Sequence, residues 1–178
     1  PAAQPGASGG QSAGAVDVSR CGTSPGVRAT GEPIKVAAIV TDQPGTSFTD
    51  IPYMARAYFE CVNDNGGING RPIQYIIETE QTQPDQVAAA ARKLVETDKV
   101  LGIVGNTSII ECSVNHEYWE SVGYYVIDSG IAPECYSTPN SAAVNMGPRY
   151  SSDGAVQYVL DHGAKKVVFD QSNVPGTD

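Results

Sequence analysis

Ile34-Lys35-Val36-Ala37-Ala38-Ile39-Val40 is a near-continuous apolar run in a chain of 178 residues. A strand with one wet face alternates apolar and polar residues. This run barely alternates, as expected of a strand buried on both faces of a parallel sheet. The stretch after it, Thr41 to Thr49, holds Pro44, Gly45, Thr46 and Ser47 and reads as a loop. Asp50 and Pro52 mark a helix start, with proline tolerated in the first turn. Ile51, Ala55, Tyr58 and Val62 fall at spacings of 4, 3 and 4, which is one helical stripe. Asn65-Gly66-Gly67 stops that helix, because glycine can take the left-handed conformation that caps it. Asn69-Gly70 signals a tight turn, and Ile73 to Glu78 reads as a second strand.

The cycle then repeats. Gln83-Pro84-Asp85 opens a helix with Val87, Ala91, Leu94 and Val95 on one face, and Val100 to Val104 is a third buried strand. Gly105 to Ile110 is a loop, followed by a helix through Val114, Tyr118 and Val122 and a fourth strand, Tyr124 to Ile127. A long loop carries Pro133 and Cys135 to a short strand, Ala143 to Met146. Ser151-Ser152-Asp153 caps a helix that ends at Gly163, and Val167-Val168-Phe169 reads as a last strand. Strands alternating with helices imply the α/β class, a doubly wound parallel sheet with helices on both faces. In such sheets ligands bind at the carboxyl ends of the strands.

Composition narrows the function. Lys+Arg 11 against Asp+Glu 20 gives a net charge of -9 and a pI near 4.6. No basic stripe is present to neutralise phosphates, so a nucleic-acid partner is not expected. No apolar run approaches the ~20 residues of a membrane span. No signal peptide is visible at Pro1-Ala2-Ala3-Gln4, the start expected of a mature or trimmed chain. Residues 1–15 contain only Pro, Ala, Gln, Gly and Ser. Such a segment cannot bury enough apolar area to offset its chain entropy, so it is expected to be a disordered tether.

Cys21, Cys61, Cys112 and Cys135 include no CxxC pair. Their even number fits two disulfides in an exported protein. Four cysteines allow three complete pairings, and spacing alone does not choose among them. The expected strand order does favour one. Cys112 and Cys135 follow the third and fourth strands at the carboxyl edge. Cys61, late in the first helix, and Cys21, ahead of the first strand, lie at the opposite edge. Cys112–Cys135 with Cys21–Cys61 is therefore expected.

Catalytic signatures are missing: there is no GxSxG elbow and no P-loop. Gly66-Gly67-Ile68-Asn69-Gly70 follows a helix and precedes a strand, the wrong context for a dinucleotide loop. Cys112 and His116 stand four apart on a helix and could present two metal ligands, but a disulfide explains Cys112 more simply. No enzyme activity, cofactor or metal is expected. What remains is a set of polar, small-residue loops at strand ends: Gln43 to Phe48, Asn106-Thr107-Ser108 and Asp128-Ser129-Gly130. Hydroxyls and backbone N–H groups at helix starts can hold small polar groups, and they can equally well cap the helices.

Asn63-Asp64-Asn65-Gly66-Gly67-Ile68-Asn69-Gly70-Arg71 closely resembles the helix-end motif of type I periplasmic substrate-binding proteins of the branched-chain amino-acid type. Pro84-Asp85, Ala90, Lys93-Leu94-Val95, the strand to Gly105 and Gly163-Ala164-Lys165-Lys166-Val167 resemble the segments that follow in that family. The resemblance implies a Rossmann-like lobe of a two-lobe fold. Residues 1–33 would be the tether and N-terminal segment, 34–143 the first lobe, and 144–178 a hinge strand and the truncated start of the second. It implies an extracytoplasmic solute-binding protein, lipid-anchored in its precursor, tethered to the membrane without spanning it. Such a protein captures a small polar or amphipathic solute, an amino acid or related organic acid or amide, for the membrane permease of an ABC importer. The alternative is a ligand-sensing domain of a receptor or regulator with the same fold. The implied solute contacts are Gln43, Thr46, Ser47, Phe48, Asn106, Thr107, Ser108, Asp128, Ser129 and Gly130, with Gln171 and Asn173 from the second lobe. Ile109 stands where the family usually has serine, and Asp128-Ser129-Gly130-Ile131-Ala132 lacks the threonine often seen there. The second-lobe loop, Ser172 to Gly176, lacks the aromatic that commonly precedes its glycine. These departures widen the expected solutes to less polar or differently charged molecules.

Overall fold

The computed structural model describes residues 21–145 and 147–170. The segment 1–15, expected to be disordered, lies outside them. The apolar run is an interior strand of the sheet. Strand β1 (Ile34–Gln43) pairs in parallel with β3 (Ile73–Glu80), from Ile34 opposite Ile73 to Thr41 opposite Glu80. On its other side Ala37 lies opposite Ile103 of β4 (Ile103–Asn106). Strands β5 (Val126–Asp128) and β6 (Ser141–Ala143) extend the sheet beyond β4, also in parallel. At its carboxyl end β1 turns at Pro44-Gly45 into the short antiparallel β2 (Thr46–Ser47).

Helices cover the two faces. On one, Ala37, Ile39, Ile103 and Val126 of the strands pack against Ala90 and Ala91 of α2 (Pro84–Arg92), Leu94 of its π-helical extension (Lys93–Asp98), and Trp119 of α3 (Glu111–Val122). Leu94 is fully buried, and truncating such a residue to alanine costs about 2–5 kcal/mol. On the other face α1 (Asp50–Asp64) packs on β3 and β4, with Phe59 edge-on to Tyr75 at 5.1 Å. Two further helices, α4 (Glu134–Ser137) and α5 (Gly147–Asp161), follow β5 and β6.

The Asn63–Arg71 motif works as a joint. Asn63 Nδ2 donates to Ile73 O at 2.8 Å and its Oδ1 accepts from Ile73 N at 2.6 Å, pinning the end of α1 to the start of β3. Gly67 (φ +62) must be glycine, because a Cβ there would sit 2.3 Å from Arg71 O and 2.6 Å from Ala29 Cβ. The disulfide Cys21–Cys61 ties the segment ahead of β1 to α1, with Cα atoms 5.8 Å apart. Cys112–Cys135 joins α3 to α4 at 5.2 Å. Both are the expected pairings.

Several expectations are corrected. The 41–49 loop is the end of β1 and a hairpin. The packed face of α1 is Pro52, Ala55, Phe59 and Val62, while Ile51 and Tyr58 are exposed. Helix α3 buries Glu111, Cys112, Asn115 and Trp119 rather than the Val114, Tyr118 and Val122 stripe. The third and fourth strands start later than read, at Ile103 and Val126. Val100 N instead closes the helix extension on Leu94 O at 3.1 Å. The sixth strand is Ser141–Ala143, set by pairing with β5, not Ala143 to Met146. Helix α5 starts at Gly147, whose N–H donates to Asn145 Oδ1 at 2.8 Å, whereas Ser151 Oγ donates back to Gly147 O at 2.9 Å inside the helix. Val167 to Phe169 is not a strand. Val168 is 91% and Phe169 65% exposed, and no neighbouring strand among the described residues supplies hydrogen bonds.

Candidate functional site

Strands β1 and β4 are neighbours, but β1 leads into α1 on one face and β4 into α3 on the other. Loops that leave adjacent strands for opposite faces open a crevice at the carboxyl ends of the strands. That is the point where doubly wound sheets hold ligands.

The three expected loops meet there through hydrogen bonds. Thr107 Oγ1 donates to Phe48 O at 2.7 Å, joining the β4 loop to the β1 hairpin. Ser129 N donates to Asn106 O at 2.9 Å and Ser129 Oγ to the same oxygen at 3.1 Å, joining the β5 loop to β4. Thr82 Oγ1 lies 2.7 Å from Gln81 O and 3.2 Å from Gln43 Oε1 and shares its one proton between them, which sets the loop after β3 beside the hairpin.

The individual residues divide by direction. Gln43 pairs with Thr46 beside the Pro44-Gly45 turn, Ser47 and Phe48 follow towards the hairpin's base, and Phe48 is 40% exposed. Ser129 is half-buried. The other polar side chains turn inward. Asn106 is buried, and its Oδ1 accepts from Ile39 N at 2.6 Å. Thr107 N and Ser108 N both donate to Ile39 O at 3.1 Å. Asp128 is buried and accepts from Ser141 Oγ at 2.5 Å and Gly130 N at 3.1 Å. Burial holds its carboxyl above the usual range, against the pull of those two donors. Gly130 is buried beneath the Cys112–Cys135 disulfide. Gln171 and Asn173 lie outside the described residues.

Two buried carboxyls were not singled out from sequence. Glu80 accepts from Thr41 Oγ1, from Ser108 Oγ at 2.8 Å, and from the backbone N–H of Thr82. Glu111 accepts from Trp119 Nε1 and from Asn115 Nδ2 at 3.4 Å. Burial pushes the Glu111 carboxyl up to about 7, opposed by these donors and reinforced by the nearby Asp128 charge. A sequence signal for either was lacking, since a single glutamate at a strand end or helix start reads as exposed. The cavity of about 10 Å³ lined by Glu111, His116, Trp119, Val126, Asn140 and Ser141 has room for about one water and none for a solute. Cys112, Cys135 and Asp128 place ligand-type atoms within 4.8 Å of one another. Both sulfurs are committed to the disulfide, so neither is a thiolate ligand, and the Cys112–His116 pair loses its cysteine.

Comparison with known proteins agrees with this architecture. Residues 33–177 match the family described as "Periplasmic binding protein". An "Amino acid binding protein" of Pseudomonas aeruginosa is 31% identical over 112 residues, covering 61% of this chain and 30% of that protein. A possible leucine/isoleucine/valine-binding protein from Rhodopirellula baltica superposes with a TM-score of 0.65 at 12% identity, covering 78% of this chain and 38% of that one. An ABC-transporter solute-binding protein from Rhodopseudomonas palustris, in complex with 3,4-dihydroxybenzoic acid, gives 0.64 at 18% identity, covering 75% and 37%. The chain thus spans well under half the length of these relatives. It belongs to the periplasmic binding protein family, and its fold is that of one lobe of the type I members.

Proposed function

We propose that this member of the periplasmic binding protein family is an extracytoplasmic solute-binding protein that delivers a small solute to the permease of an ABC importer. The solute class is an amino acid or a related organic acid or amide. The hydrogen bond from Thr107 Oγ1 to Phe48 O carries the reading, because it makes the β1 and β4 loops one continuous edge at the switch point of the sheet. The relatives named above, an amino-acid binder and a solute binder holding a dihydroxybenzoate, support the same class and point to binding without catalysis. Two disulfides support an oxidising compartment. Among the described residues no helix is long and apolar enough to cross a membrane. Attachment through a lipid on the N-terminal tether is part of the proposal, as are Gln43, Thr46, Ser47, Phe48 and Ser129 as the solute-facing groups of this lobe.

The test is thermal unfolding of the full-length protein with L-leucine, L-phenylalanine, 3,4-dihydroxybenzoate and benzamide. At a hundredfold excess over its dissociation constant, a true solute stabilises by about 2.7 kcal/mol, a rise of several degrees in Tm. No shift from any of the four at millimolar concentration would overturn the reading.

A further inference from the structure

We infer that Glu80 is the positioning residue of this edge, holding the loops after β1, β3 and β4 in one register through Thr41, Thr82 and Ser108. The inference rests on the solute-binding reading for its meaning and on hydrogen-bond geometry for its content. Glu80 is the last residue of β3 and is 1% exposed. Among the described residues no lysine or arginine forms an ion pair with it. A buried carboxylate without a cation is costly unless hydrogen bonds replace its hydration. Here the donors come from three separate segments. Oε1 accepts from Thr41 Oγ1 at the end of β1 and from Ser108 Oγ beyond β4, and Oε2 accepts from Thr82 N in the loop after β3.

The clamp reaches the mouth of the crevice by two relays. Thr41 Oγ1, while donating to Glu80, accepts from Ile109 N at 3.1 Å and so fixes the turn that enters α3. Thr82 sits at φ +55, a conformation unfavourable for a β-branched residue, and is held there by its N–H on Glu80, with its hydroxyl shared between Gln81 O at 2.7 Å and Gln43 Oε1 of the hairpin at 3.2 Å. The Ser108 hydroxyl spends its only proton on Glu80. Ser108 therefore acts on the solute through Glu80 and the loop backbone, not as a donor.

Residue-resolved amide hydrogen exchange tests this. Glu80→Gln keeps the size of the side chain but turns an amide donor toward groups that are themselves donors. Thr82 and Ile109 should exchange at least about tenfold faster, as expected for losing a charge-assisted bond. Ala37, bonded to Gly102 O at 3.2 Å in the middle of the sheet, should keep its rate. Ser108→Ala is the second variant and decides the matter if Glu80→Gln loses protection at Ala37 as well. Thr82 lies on a different loop from Ser108, so faster exchange there reports transmission through Glu80. An unchanged Thr82 rate in Ser108→Ala, or an unchanged Ile109 rate in a folded Glu80→Gln, overturns the clamp. In the full-length protein, Glu80→Gln should also weaken binding of L-leucine, L-phenylalanine, 3,4-dihydroxybenzoate or benzamide, whichever the wild type binds, by about tenfold or more. Wild-type affinity alongside faster exchange would remove the positioning role. A wild type that binds none of the four compounds named above would defeat the solute-binding reading and leave the exchange result standing.

Discussion

Trp119 Nε1 donates a hydrogen bond to Glu111 Oε1 from two turns further along α3, and both side chains are buried in the face that packs on the sheet. The bond favours the carboxylate, yet burial outweighs it and the Glu111 pKa rises from 4.5 to about 7. The folded state therefore holds a proton that the unfolded state releases. Stability is fully present below pH 4.5, falls as pH rises from there to about 7, and levels off above. The whole drop from this group is about 3 kcal/mol. Urea unfolding from about pH 4 to 8 should show that decline, and Glu111→Gln should flatten it. An equally steep decline in the variant would show that other groups cause it.

Trp119→Phe keeps the aromatic bulk and deletes the donor. The ionised Glu111 loses its nearest stabilising group, so the damage should grow with pH. A loss of about 1–3 kcal/mol is expected at about pH 8, where the carboxylate is left short of a partner. At about pH 5, where it is mostly neutral, the loss should be smaller. The same urea series measures it, and a pH-independent loss would mean that packing, not the hydrogen bond, carries the effect.

Gly130 and the Cys112–Cys135 disulfide share one space. A Cβ on Gly130 would lie 2.5 Å from Cys135 Sγ and 3.1 Å from Cys112 Sγ. Gly130→Ala should therefore destabilise the oxidised protein by about 1–3 kcal/mol, the usual cost of overpacking. In a Cys112→Ala/Cys135→Ala background the obstructing sulfurs are gone, and most of that cost should vanish. Additive losses in the combined variant would mean that the strain lies in the backbone of the 128–130 turn.

The parts of the fold legible in the sequence are those where one physical signal dominates. The run from Ile34 to Val40 reads as a strand buried on both faces, and it is an interior strand of the sheet with β3 on one side and β4 on the other. Asn69-Gly70 formed its expected turn, closed by Ile68 N to Arg71 O at 2.9 Å and by the reverse bond at 3.1 Å. Helix faces were harder to read. Tyr58 and Phe59 are adjacent aromatics, and periodicity could not show that Phe59 meets Tyr75 while Tyr58 faces out. The buried face of α3 carries Glu111 and Asn115, polar residues that an apolar stripe does not find. In the candidate site, sequence located the three loops but not the direction of their side chains. Asn106 and Asp128 point inward because backbone and hydroxyl donors await them there, partners that only the folded chain brings close.

A single lobe should hold a solute only weakly. The family resemblance implies a cleft between two lobes, and this chain spans 38% of its structural neighbour from Rhodopirellula baltica. On the proposed reading, the edge formed by the β1, β4 and β5 loops is one wall of that cleft. A solute on one wall buries about half the surface that it buries between two. It still bears the full loss of translational and rotational freedom, several kcal/mol by common estimates. Affinity falls about tenfold for each 1.4 kcal/mol of favourable binding energy removed. A micromolar solute of the full-length protein should thus bind the 178-residue chain at about millimolar strength or weaker. Isothermal titration of both proteins with the panel member that stabilises the full-length form measures the difference. Equal affinities would place the whole pocket within this lobe. The loops at Gln43 to Phe48, Asn106 to Ser108 and Asp128 to Gly130 would then be a complete site rather than half of one.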